Sequence, residues 1–144
     1  MQMMGGNYWE DSVYGEPPLA SLERQDSAAV FGWLQAHLPS RGSKIDWSNT
    51  PGSHQYWRFD DDLSLATRAV SEVCKHVQPG GAIDHVGDGL SPFGVAFAAS
   101  EAAAVVGALL EIPEHHYFVA RDRSWLVVVS SEGDLDVLEL VTPA

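Results

Sequence analysis

The chain holds a single cysteine, Cys74, so it cannot close an internal disulfide. No apolar run approaches the ~20 residues that span a bilayer. The opening residues, MQMMGGNYWED, carry neither the basic region nor the apolar core of a secretory signal, and a cytoplasmic location is the expectation. Basic residues are scarce. Eight Lys and Arg face twenty Asp and Glu, a formal net charge of −12. Such a field repels phosphate backbones and anionic lipid, so no nucleic acid and no membrane is expected as a partner, whereas a basic protein is attracted. The bland alternative is that the surplus acid only keeps the protein in solution.

Chemical signatures are equally thin. Gly80-Gly81 and Gly87 to Gly89 are not followed by Lys-Ser or Lys-Thr, and Asp84 and Asp88 beside them repel phosphate, which argues against a nucleotide cradle. There is no G-x-S-x-G elbow and no H-E-x-x-H helix. No catalytic residue, metal or cofactor is assigned from a motif.

What is present is material for a core. The length of 144 residues and a hydrophobic share of 45% suit one domain over residues 1–144. Residues 1–18 lack periodicity and read as an extended N-terminal arm. Its Tyr8, Trp9 and Tyr14 are costly to leave in water, so the arm lies partly on the body or meets a partner. The spacing of Val30, Phe31, Leu34 and Leu38 predicts a helix over 25–38. Lys44 to Trp47 and Gln55 to Phe59 read as short strands. Leu63, Ala66, Val70, Val73 and Val77 form a stripe that predicts a helix over 61–77 with this stripe buried. Asp60, Asp61 and Asp62 at its start and Lys75-His76 at its end suit the helix dipole, which explains the acidic triplet without a metal.

Ala82 to Asp88 and Phe93 to Ala98 read as strands. Ser100 is the expected cap of a helix over 101–111, with Ala102, Val105, Val106 and Leu109 on one face. Pro113 to Val141 then predicts three strands, HHYFVA, WLVVVS and LDVLELV, joined by tight turns. The unbroken apolar run of the second places it centrally, covered on both faces. Asp136 and Glu139 interrupt the third, which suggests a sheet edge. Together these elements predict an α+β domain, an antiparallel sheet finishing in a three-stranded C-terminal meander with about three helices packed on it.

Several clusters invite a chemical reading. His115 and His116 are neighbours on a strand and so point to opposite faces, one to the core and one to solvent. Asp84, His85 and Asp88 sit among glycines and could hold a cation or move protons with help from His54 or His116. A polar loop between strands is the plainer account. Cys74 lies beside the stripe of the second predicted helix and reads as a small buried residue.

The acidic, motif-poor chain, ending in EHHYFVARDRSWLVVVSSEGDLDVLEL, resembles the immunity proteins that bacteria pair with secreted polymorphic toxins; that segment is about a fifth of the chain. The resemblance implies a protein that neutralises a cognate toxin or effector by stoichiometric binding. A basic toxin would be steered to acids on loops and edges, and the candidates are Asp60, Asp61, Asp62, Asp84, Asp88, Asp134 and Asp136. Tyr56 or Trp57 would anchor the centre of the contact. The alternatives are a small metal-dependent hydrolase using the Asp84–Asp88 loop with His116, and an adaptor subunit of a secretion system that binds through its N-terminal arm.

Overall fold

The computed structural model describes residues 8–38, 40–41, 44–50 and 52–140. Residues 1–7 of the expected arm, and Val141, lie outside them. In chain order the elements are α1 (Tyr8–Ser12), β1 (Glu23–Gln25), α2 (Ala28–His37), β2 (Ser40–Arg41), β3 (Lys44–Ile45) and β4 (Ser53–Arg58). Then come α3 (Asp62–His76), β5 (Ala82–Asp88), β6 (Gly94–Ala98), α4 (Ala102–Leu109), β7 (His115–Ala120), β8 (Trp125–Val129) and β9 (Asp134–Glu139). Seven strands form one open antiparallel sheet in the order β1-β6-β5-β7-β8-β9-β4, and β2 and β3 form a separate small hairpin. The fold is α+β, as the sequence predicts.

Strand alternation sorts the side chains into two layers. Ile83, Phe118, Trp125, Val127, Leu135 and Val137 face α3 and α4 and join the larger core. Val86, Val119, Leu126, Val128 and Leu138 face the other way, against Val30 and Leu34 of α2 and Leu38 just beyond it. All five residues of β8 are buried, which is why its sequence shows no polar interruption. Full burial of one such aliphatic side chain is worth about 1.5–3 kcal/mol. Gly133 closes the β8–β9 turn at φ +100°, where an added Cβ would stand 2.5 Å from the Phe59 carbonyl oxygen, so only glycine fits.

Five expectations need correction. β9 is not an edge strand, because β4 pairs along its whole length from Ser53–Glu139 to Arg58–Asp134. Its charges therefore lie within the sheet, and Asp136 is buried. On α3 the buried residues are Leu65, Ala69, Glu72 and Val73, whereas Leu63 is 78% exposed. The buried line is rotated from the predicted one because Arg68 neutralises Glu72 at 2.9 Å and lets a carboxylate sit inside the contact face. The same rotation leaves Cys74 exposed rather than buried. At α4 the first turn is a 3₁₀ turn over Ala99–Glu101, and the Glu101 carboxylate, not Ser100, accepts the Ala98 amide.

The N-terminal arm is not extended over its described part. Tyr8–Ser12 is helical, and Tyr14 is fully buried with its ring edge-on to Phe93 at 4.8 Å. Its hydroxyl donates to Ser91 Oγ at 2.7 Å, and Ser91 in turn donates to the Glu114 carboxylate. Burial foremost pushes the Tyr14 pKa up to about 12. Glu114 also accepts the Leu90 and Ser91 amides at 2.6 and 3.1 Å, pinning the β5–β6 turn. Gly87 leaves room for that carboxylate, since a Cβ there would run into it and force it to shift.

Candidate binding groove

The α2 layer covers only part of its sheet face. Beside it the face is open, and a groove of about 520 Å³ remains. Its floor is built from strand alternation: His54 and Tyr56 of β4, His115 and Tyr117 of β7, Asp134 and Asp136 of β9, and Val128 of β8 with Ser130 just after it. Each pair is spaced i, i+2, the repeat that puts side chains on one face of a sheet. Asp88 at the end of β5 and Ile45 and Trp47 complete the wall. Among the described residues no Lys or Arg lines it.

The groove's polar groups are held by one another. His54 Nε2 meets Asp136 Oδ1 at 2.7 Å, and the Trp47 ring lies flat on the His54 ring at 4.6 Å and 1°. The Tyr56 hydroxyl donates to Asp134 Oδ1 at 2.6 Å, and Arg58 Nη1 donates to the same oxygen at 2.9 Å from the rim. Burial raises the Asp136 pKa above the ordinary carboxylate range, and the His54 contact offsets only part of that. A buried carboxylate in this condition gains from a cation. Burial, then the Asp88 charge, likewise raises the Tyr117 hydroxyl. His115 Nδ1 accepts the Ser131 amide at 3.1 Å, which places the proton of the neutral ring on Nε2.

Four of the nine residues expected at a partner contact therefore come together: Asp88, Asp134, Asp136 and Tyr56. The other five do not. Asp84 is buried under the far end of the same face, where its carboxylate accepts from Arg121, Arg123 and Gln25 at 2.8–3.2 Å. Burial pushes its pKa up, but the bonds from Arg121, Gln25 and Arg123 outweigh that and hold it below the ordinary range. It is an internal ion pair, not a displayed charge. Asp60, Asp61 and Asp62 are exposed at the start of α3, outside the groove. Asp61 caps that helix, accepting the Ser64 amide at 2.7 Å, and this bond chiefly lowers its pKa. Asp62 and Leu63 line a second hollow of about 370 Å³ where α3 begins and α4 ends. Trp57 points to the helix side, half-buried, with the Arg68 guanidinium 4.2 Å from its ring centroid.

The hydrolase grouping is divided by the sheet. Ala82–Asp88 is strand throughout, so Asp84 and Asp88 lie on the groove side and His85 on the helix side with His116. The two histidines do meet, at 2.9 Å. His116 Nε2 donates to the Ile112 carbonyl at 2.8 Å, so its Nδ1 accepts from His85 Nε2. His85 Nδ1 is then left buried without a partner. Burial, and then the neighbouring imidazole, lowers the His85 pKa; burial chiefly lowers that of His116 as well, so both rings are neutral. Among the described residues no three His, Cys, Asp or Glu are arranged to hold a metal ion.

Trp47, Tyr117 and His115 were not expected at a partner contact. The i, i+2 pairs of Tyr117 with His115 and of Asp134 with Asp136 were the readable signal; that β4 lies beside β9 was not. Compared with known proteins, the chain matches no family model, no curated protein and no solved structure.

Proposed function

We propose that this chain is an acidic, stoichiometric binding protein that neutralises a basic protein partner, a toxin or effector, by taking a cationic segment of it into the groove. The observation that carries the reading is the collection of Asp88, Asp134 and Asp136 beside Tyr56, Tyr117 and Trp47 in one open hollow lined, among the described residues, by no Lys or Arg. Aromatic faces and carboxylates together suit a guanidinium or ammonium group. The net charge of −12 adds long-range steering, which speeds encounter with a basic partner and disfavours nucleic acid and anionic membrane as ligands. Action in the cytoplasm belongs to the same reading; among the described residues no helix is long and apolar enough to cross a membrane.

The experiment is a capture from the source cells with the wild-type chain and with the Asp88→Asn/Asp134→Asn/Asp136→Asn variant, washed at about 50 mM and about 500 mM salt, where the Debye length is about 14 Å and about 4 Å. One basic protein held in stoichiometric amount by the wild type, weakened by salt and lost with the variant, is the expected result. Equal capture by both chains would refute the groove as the contact.

A further inference from the structure

The two edges of the sheet are unlike. β1 is three residues long and carries Glu23 and Arg24, short and charged in the manner that discourages strand pairing. β4 is six residues long, contains no proline, and among the described residues pairs with β9 alone. The Phe59 amide, just after β4, donates to the Gly133 carbonyl of the β8–β9 turn at 2.9 Å. Alternation from that bond turns the backbone of Gln55 and Trp57 toward β9, and the N–H and C=O groups of His54, Tyr56 and Arg58 away from the sheet. The side chains of His54 and Tyr56 line the groove. The free edge and the groove are thus one continuous surface.

We infer that β4 is the docking edge for an extended strand of the partner that carries Lys or Arg at alternate positions. The inference rests on the groove reading above and adds how the partner enters. An antiparallel strand laid about 4.8 Å beyond β4 takes up the outward N–H and C=O groups of His54, Tyr56 and Arg58 and extends the sheet. Its residues opposite those three project side chains onto the groove face. There they pass Tyr56, which is 53% exposed, toward two carboxylates already drawn to β4: Asp134 by Tyr56 and Arg58, Asp136 by His54. The residues between them face the helix side next to Trp57, where apolar side chains fit. The partner segment therefore reads basic, apolar, basic across His54 to Tyr56, with an uncharged residue opposite Arg58, where a like charge would repel. A second copy of this chain is a poor occupant, since it brings the same −12 charge to the same acidic groove.

The probe is a peptide of about seven residues alternating arginine and valine, the length of an ordinary strand. A matched peptide is N-methylated at the amides that would donate to β4, which keeps every charge and bars the ladder. Binding of each to the full chain is measured by titration calorimetry. The unmethylated peptide is expected to bind, with affinity falling at least about tenfold on methylation as the backbone bonds are lost. Tyr56→Pro, which removes an outward N–H and leaves the β4–β9 ladder intact, is expected to weaken binding beyond Tyr56→Ala. Equal affinity for the two peptides, with Asp136→Asn still weakening both, would overturn the edge and leave the groove standing. No binding, or binding indifferent to Asp136→Asn, would overturn both. A dimer of the peptide-free chain that Tyr56→Pro abolishes would overturn the inference in favour of self-pairing.

Discussion

Removing the Asp84 carboxylate tests whether an acid in this chain is structural or displayed. Asp84→Ala leaves Arg121, Arg123 and Gln25 without their shared acceptor, which now ties β1, β5 and the β7–β8 turn together. Breaking a buried ion pair from one side costs about 3–5 kcal/mol. Arg121 is 51% exposed and Arg123 26%, so water can take over their guanidinium groups, and the expected loss is about 2 kcal/mol. For a chain near 150 residues that lowers Tm by roughly 4–8 °C. The pH dependence has a definite sign. The folded pKa of Asp84 is depressed, so its contribution is present above about pH 4, the unfolded value, and disappears as pH falls through the lower folded value. Urea unfolding of wild type and variant at pH 7 and at pH 3, followed by tryptophan fluorescence, reads the gap directly. A gap under about 0.5 kcal/mol at pH 7, the size of an ordinary surface change, would refute the assignment, as would a gap that widens in acid. The variant is also expected to leave binding of a basic peptide unchanged, in contrast to changes at Asp134 or Asp136.

The buried His85–His116 pair predicts acid sensitivity. Both rings stay neutral in the fold while the unfolded chain takes up protons below about pH 6.5, so stability falls by up to ~2.7 kcal/mol per pH unit from the pair. His85→Phe, which removes the unpartnered Nδ1, should roughly halve that slope between pH 6.5 and 5 in a thermal melt; an unchanged slope would show that the pair does not carry it. Gly87→Ala should destabilise by about 1–3 kcal/mol, because Glu114 must leave its bonds to Leu90 and Ser91; denaturant unfolding checks this. Tyr56→Ala should leave the melting temperature close to that of the wild type while lowering affinity for a basic peptide, since its side chain is mostly in solvent.

Local pattern made much of this fold readable. Ala82–Asp88 and His115–Ala120 match their predicted ranges, and Ala102, Val105, Val106 and Leu109 are all buried on α4. What stayed hidden was set by long-range pairing. Nothing near Asp136 tells that β4, some eighty residues earlier, will lie outside it and supply His54. The charges of β9 read as an edge because a buried carboxylate and a solvent-facing one look alike in sequence. β1 is too short to show a period, and the Glu72–Arg68 pair disguises the contact face of α3. The groove was half legible for the same reason. Asp88, Asp134, Asp136 and Tyr56 were visible as acids and an aromatic, but Asp84 looked equivalent to them until Arg121 and Arg123 were seen to close on it.

The most direct measurement of the central claim is a two-dimensional NMR titration of the ¹⁵N-labelled chain with an arginine–valine peptide at low salt. The account predicts that shift changes concentrate on the amides of β4 and β9 and at Trp47, Asp88, His115 and Tyr117, and that they fade as salt rises. Changes centred instead on Asp60 to Asp62 at the start of α3, or spread evenly over the acidic surface, would contradict it.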